Sequence, residues 1–218
     1  MTKTLQEILV WDAHAGLFPS PDMDLNILED WRKDGVNYLS VNVGFDVMSR
    51  DETFATLAAY RRWLLAHSDR FLLAGNLADI DHAHRTGRLA ISFDIEGMNA
   101  LGGDINMVEV YHTLGVRQML FAYNLNNLAA GGCHDVDITL TEFGIDILTE
   151  MNRVGMIVDA SHTSYRTSMD LIERSRTPVV FSHSNPTSVW LHQRNIKDEQ
   201  IKACAAKGGV IGLNGLAI

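Results

Sequence analysis

Apolar residues fall into short runs separated by longer amphipathic stretches. The runs Ile8–Trp11, Tyr38–Val43, Leu89–Phe93, Gln118–Ala122, Gly155–Val158, Val179–Phe181 and Gly209–Leu213 are rich in Val, Ile, Leu or Phe and lie close to Gly, Pro, Asn or Ser. Continuous apolarity of this kind predicts strands buried on both faces, as in a parallel sheet. Between the runs, helical patterns cover Thr53–Ser68, Thr141–Val154, Ser164–Ser175 and Lys197–Ala206. The second of these has Thr141 as N-cap, Phe143, Ile147, Leu148 and Met151 as its apolar face, and Gly155 as its stop. Strand–helix alternation predicts right-handed βαβ units in an α/β domain. No linker divides the chain, so one domain is expected over residues 1–218.

Two architectures fit that alternation, an open doubly wound sheet and a (β/α)₈ barrel. No G-x-G-x-x-G follows a strand, which weakens the dinucleotide-binding reading. The polar residues favour the barrel. Nearly every strand ends in a candidate ligand or catalytic side chain: Asp12 and His14, Asp94 and Glu96, Tyr123 and Asn124, Asp159 and His162, Ser182 and His183. Sites assembled from the C-terminal ends of several strands are what a barrel offers. Against this, seven strands are counted where a closed barrel needs eight.

His14, Glu96, His162 and His183 come from four different strands. Imidazole and carboxylate suit zinc and similar divalent ions. A carboxylate can bridge two ions, and two metals about 3.5–4 Å apart can clamp a hydrolytic transition state. Taken singly, each histidine reads more naturally as a satisfied loop or core residue; four placed this way shift the balance towards a site.

Composition narrows the partners. The 218 residues are 46% hydrophobic and 21% charged, which excludes a disordered chain. Lys plus Arg number 18 against 27 Asp plus Glu, a net charge of −9 with no basic run. Nucleic acid and anionic membrane surfaces are therefore poor partners. No apolar stretch approaches the ~20 residues of a membrane span. The start, MTKTLQEILV, lacks a signal-peptide pattern, and Cys133 and Cys204 make no disulfide framework, so a cytoplasmic setting is expected.

The segments WDAHAG, FDIEGMNAL, LTEFGIDILTEMNRVGMIVDASH and VVFSHSNPTSVWLHQRN resemble the membrane (renal) dipeptidase family of the amidohydrolase superfamily. The stretch Leu140–His162 is the most specific, and the resemblance runs from about Trp11 to Asn214. It implies a TIM (β/α)₈ barrel of the metal-dependent hydrolase type, a binuclear zinc site and hydrolysis of dipeptides through a metal-bound hydroxide. By position it implies that His14 is a ligand of one metal, that Glu96 is the bridging, catalytic carboxylate, and that His162 and His183 hold the second metal. Arg194, eleven residues beyond His183, would bind the substrate's terminal carboxylate, a task suited to a guanidinium fork. Tyr123 falls where many members place an oxyanion-stabilising histidine. A phenol could donate the same hydrogen bond to substrate, and a packing role is the alternative.

Two departures qualify these expectations. The family's first strand reads His-x-Asp with both residues on metal, whereas here His14 is followed by Ala15 and Gly16. Asp12 is expected to orient His14 or cap a backbone group rather than replace the missing ligand. The family's eighth strand carries a metal-binding aspartate, and no residue here takes that role; the barrel is expected to stop after the seventh strand. One well-held zinc ion, on Glu96, His162 and His183, and a weak second site are therefore expected. The alternative function is a catalytically impaired relative that binds metal and ligand without efficient turnover. Unpaired sheet edges would favour a homo-oligomer.

Overall fold

The structure, a computed structural model, describes residues 8–216. The expected domain limits at 1 and 218, and the last residues of the apolar C-terminal run, lie outside the described residues. Seven strands form one sheet: β1 (Trp11–Ala15), β2 (Tyr38–Phe45), β3 (Phe71–Leu73), β4 (Leu89–Glu96), β5 (Val116–Leu120), β6 (Ile157–Asp159) and β7 (Val179–Val180). The helices are α1 (Leu28–Lys33), α2 (Arg50–Ala66), α3 (Leu77–Arg85), α4 (Met107–Leu114), α5 (Glu142–Val154), α6 (Tyr165–Arg174) and α7 (Asp198–Ala206). Every strand pairing is parallel, in the order β1-β2-β4-β5-β6-β7, with β3 attached to β4.

The position of β3 explains how seven strands were counted without it. β2 occupies one edge of β4, where the Ala90 amide donates to Asn37 O. β3 and β5 share the other edge: Leu89 N donates to Arg70 O low on the strand, and Phe93 N donates to Gly115 O higher up. β3 is thus a three-residue supplement, too short to stand out between two helices. The seventh stave is the segment around Ile211, which makes one parallel bridge to Phe181 where a strand over Gly209–Leu213 was expected. Residues 10–13 at one end of the sheet and 210–213 at the other line a single gap of about 330 Å³. The sheet is therefore a curled, incomplete (β/α) barrel.

The limits of β1 and β4 differ from the apolar runs for one reason. β1 extends to Ala15 rather than ending at Trp11, and β4 extends to Glu96 rather than Phe93. In β1 and β4 the polar residues that follow the apolar run are inside the strand, whereas Tyr123, Asn124, His162, Ser182 and His183 lie in the turns after β5, β6 and β7. All eight residues of β4 are buried, and Ser92, Asp94 and Glu96 alternate with Phe93 and Ile95. That period of two puts the polar side chains on one face, the barrel interior, and the apolar ones under the helices.

The helix signals translate directly. Thr141 caps α5 by accepting from the Gly144 amide, and Gly155 ends it in a left-handed conformation (φ 82°). This is why β6 starts at Ile157 and not at Gly155. Ser164 caps α6, and Ser49 with Glu52 forms a capping box that starts α2 three residues earlier than the apolar pattern suggested.

Candidate metal centre

Glu96 closes β4 and is 7% exposed. His14 lies near the end of β1, His162 in the turn after β6, and His183 in the turn after β7. Their Nε2 atoms stand 3.6, 3.3 and 3.4 Å from the same oxygen, Glu96 Oε1. That buried oxygen receives no hydrogen bond. The His14 and His183 rings stack at 4.2 Å, and ligand atoms of His14, Glu96 and His183 all lie within 4.8 Å of one another.

Each imidazole is held from behind at Nδ1. His14 Nδ1 meets Asp94 Oδ1 at 3.1 Å, His162 Nδ1 meets Asn124 Oδ1 at 2.7 Å, and His183 Nδ1 meets Ser182 Oγ at 2.7 Å. An Nδ1–H donated to an oxygen leaves the Nε2 lone pair pointing forward, as metal-ligating histidines require. His162 Nε2 and His183 Nε2 are only 2.9 Å apart. Two acceptors that close repel unless a cation or proton sits between them. The backbone is also strained here: His162 (φ 64°) and Asn124 (φ 63°) are the only non-glycine residues with positive φ among the described residues. Left-handed conformations cost about 1 kcal/mol or more and persist where the surroundings impose them.

Beneath the histidines runs a belt of buried polar residues. Asn42 donates to Asp94 Oδ1. Gln118 Nε2 donates to Asp159 Oδ2 and to Ala13 O. Asp159 Oδ1 accepts the backbone amides of Ser161 and Ser182, and Ser161 Oγ lies 3.3 Å from Ser182 Oγ. Asp159 and Ser161 thus shape the turn and support the site together.

The electrostatics follow from burial against charge. Burial opposes the charge on Glu96, but His14, His162 and His183 hold its carboxyl well below the usual range. Burial also opposes a charged His14, yet Asp94 and Glu96 outweigh it and push His14 up to about 10. Asp94 is pushed up to about 6 by burial, with His14 acting against that. Burial pushes His162 and His183 down to about 4. The cluster therefore carries two neutral imidazoles beside a buried anion. That donor set, with the orphaned Glu96 oxygen, fits a divalent ion of the zinc type.

The other expected residues join the same cavity of about 650 Å³ over Glu96. Arg194 is 3% exposed, with Nη1 donating to Ser184 Oγ and Nη2 to His183 O; its Nε has no partner. The Tyr123 ring packs 4.8 Å from His162 and 5.2 Å from Phe45, and burial raises its phenol. Asp12 lines the cavity with both oxygens engaged, one by the His14 amide and one by Trp31 Nε1. It does not supply the ligand that Gly16 lacks. A Cβ built on Gly16 would lie 3.6 Å from His14 Nε2, so the missing side chain would have pointed at the cluster. Cys133, His134 and Asp135 diverge towards Asn124, His192 and the 126–136 backbone, and do not share an ion.

Sequence reasoning passed over Asp94, Asn124 and Ser182 as orienting groups, although it placed all three at strand ends. For Asp94 and Ser182 the signal was their spacing, two residues from Glu96 and one from His183; Asn124 has no ligand near it in sequence. It missed Asp46, which accepts from the Asn99 and Tyr123 amides and from Asn127 Nδ2, tying three loops to the cavity wall. Nothing in the local sequence marks that residue.

Comparison with known proteins bears on the family and the fold. Residues 18–217 match the family described as membrane dipeptidase (peptidase family M19). The dipeptidase verJ of Clonostachys rogersoniana is 36% identical over 147 residues, 66% of this chain and 38% of that protein. The dipeptidase tcpJ of Claviceps purpurea is 33% identical over 166 residues, 75% of this chain and 39% of that protein. The chain thus spans under two fifths of the length of these relatives. Among solved structures, an amidohydrolase from Pseudomonas aeruginosa superposes with a TM-score of 0.88 at 31% identity, covering 96% of this chain and 63% of that one. A metallopeptidase from Rhodobacter sphaeroides, liganded with a phosphinate mimic of L-Ala-D-Ala, shares the fold at a TM-score of 0.79 and 20% identity, over 94% and 73% of the two chains. A polar belt that turns three imidazoles onto one carboxylate, on a parallel barrel matched along nearly its whole length, places the chain in the membrane dipeptidase family.

Proposed function

We propose that this chain carries the metal-binding and peptide-binding core of a zinc-dependent dipeptidase that cleaves the amide bond of dipeptides or a related small amide. The observation that carries the reading is the convergence of three Nε2 atoms on Glu96 Oε1, with His162 and His183 2.9 Å apart. Glu96, His162 and His183 would hold one ion firmly. His14 with the shared Glu96 offers two ligands to a second, weaker site. A bound divalent ion lowers the pKa of water and polarises a carbonyl. Asp94, Asn124 and Ser182 keep the imidazoles oriented. The buried, anchored Arg194 receives the peptide's terminal carboxylate, and the Tyr123 hydroxyl donates to the oxygen on which charge develops. The residues form a single barrel domain, and a cytoplasmic setting and a homo-oligomer remain part of the reading.

The test is metal content by mass spectrometry together with a panel of L-L and L-D dipeptides in added Zn²⁺. About one tightly bound ion and hydrolysis of at least one dipeptide are expected, and His183→Ala should lose the ion. Two tightly held ions, or unchanged metal affinity in His183→Ala, would contradict the ligand set. One observation favours the second reading, a relative that binds without efficient turnover. Among the described residues the carboxylates lining the cavity are Glu96, assigned to the ion, and Asp12, both of whose oxygens are occupied, so no second carboxylate is free to take a proton from water. Bound metal with no turnover of any dipeptide would select it.

A further inference from the structure

Two more imidazoles, His134 and His192, line the cavity over Glu96. His192 lies in the segment between β7 and α7, two residues before Arg194. The Arg194 backbone amide donates to His192 Nδ1 at 3.2 Å. That bond fixes the tautomer, because an Nδ1 that accepts carries no proton and the hydrogen must reside on Nε2. His192 is thus the reverse of His14 and His162, whose Nδ1 atoms face the oxygens of Asp94 and Asn124. At His162 the Nε2 atom carries a lone pair, and His192 offers an N–H there. The His134 ring meets His192 edge-on, 6.2 Å between centroids at 81°, and the His134 amide is tied to Asn124 O, so a fixed loop steadies the His192 ring.

Arg194 alone is an incomplete anion site. Two of its five N–H donors are bonded to Ser184 and to the His183 carbonyl, which anchors the fork but leaves fewer donors for a ligand. A carboxylate has about four acceptor positions to satisfy. We propose that His192 is a specificity-determining residue whose Nε2–H, together with Arg194, receives the free carboxylate of the peptide substrate. This inference rests on the dipeptidase reading. It adds to the carboxylate site a second, neutral donor beside the Arg194 cation.

The experiment is calorimetric binding to the zinc-loaded protein of a phosphinate dipeptide isostere, as the free acid and as the C-terminal amide. The wild type should prefer the acid. His192→Ala should weaken the acid about tenfold, the worth of a hydrogen bond to a charged group, and change the amide less than about twofold. His192→Gln, which keeps an N–H donor, should recover part of the loss. Equal weakening of acid and amide, or a wild type with no acid preference, overturns the proposal. A wild type that prefers the acid but hydrolyses no dipeptide refutes the dipeptidase reading and leaves His192 in its role.

Discussion

Asn124 joins backbone strain to metal orientation, and the two effects can be separated by substitution. Its side chain accepts from His162 Nδ1 at 2.7 Å, and its backbone sits at φ 63°. Asn124→Ala removes both the acceptor and the residue type that tolerates this conformation. Loss of a hydrogen bond behind a metal-ligating histidine costs 10–100-fold in metal affinity, about 1.4–2.8 kcal/mol. The left-handed backbone adds about 1–2 kcal/mol of folding stability lost on placing alanine there. Asn124→Gly removes the acceptor but accepts the backbone, so it should show the same metal deficit with a smaller stability loss. Asn124→Asp keeps an acceptor and should stay near the wild type in affinity. Competition with a chromogenic zinc chelator gives affinity, and urea unfolding of the metal-free protein gives stability. Wild-type zinc affinity in both the alanine and glycine variants would refute the idea that Asn124 orients His162.

The metal-free protein should lose stability as pH falls from about 6 to about 4. His162 and His183, each depressed from 6.5 to about 4, stay neutral in the fold and bind two more protons when unfolded, while Asp94, raised to about 6, offsets one of them. Urea midpoints at pH 7 and pH 5 check this, and a higher midpoint at pH 5 would contradict it. Chelation of the ion should lower the melting temperature of the wild type, and a thermal shift indifferent to chelator would argue against a built site. Gly144→Ala should destabilise by about 1–3 kcal/mol, because a Cβ there would collide with the Ala129 carbonyl oxygen; denaturant unfolding reads the loss.

The parallel sheet was legible because β2 and β4 are buried on both faces and read as short runs rich in Leu, Val, Ile and Phe. Their ends were not, because the residues that break the run, Asp94 and Glu96, remain in the strand and turn inwards. α5 was legible to the residue, since Thr141 and Gly155 are local signals with local consequences. β3 was not, because three residues that pair with half of one neighbour leave no period to detect. The four ligand candidates were visible as strand-end polar residues. The contacts that orient them were not, because Asp94 to His14 and Asn124 to His162 join residues 80 and 38 positions apart. His192 and Asp46 belong to the same class, since only the fold brings the one to the cavity and ties the other to Tyr123 in its wall.

Gly16 gives the most direct way to ask how many ions the site is built for. In this family the residue two after the first histidine is an aspartate, and here the space it would fill is open. The nearest neighbours of a Cβ at Gly16 are His14 Nε2 at 3.6 Å and His14 Cδ2 at 3.9 Å, ordinary contacts that require no rearrangement. The Cβ of Gly16→Asp would therefore meet no clash, and the residue would bring a further carboxylate to the cavity shared by His14 and Glu96. Without metal that charge adds repulsion to a buried cluster and should lower stability. With zinc it raises the second, weaker site from two protein ligands to three, the number a catalytic zinc uses. The expected outcome is a metal content near one ion per chain in the wild type and near two in Gly16→Asp, with a larger stabilisation by zinc in the variant. An unchanged metal content in a folded Gly16→Asp protein would mean that His14 is not poised to share a second ion, and that its place beside Glu96 serves the first ion alone.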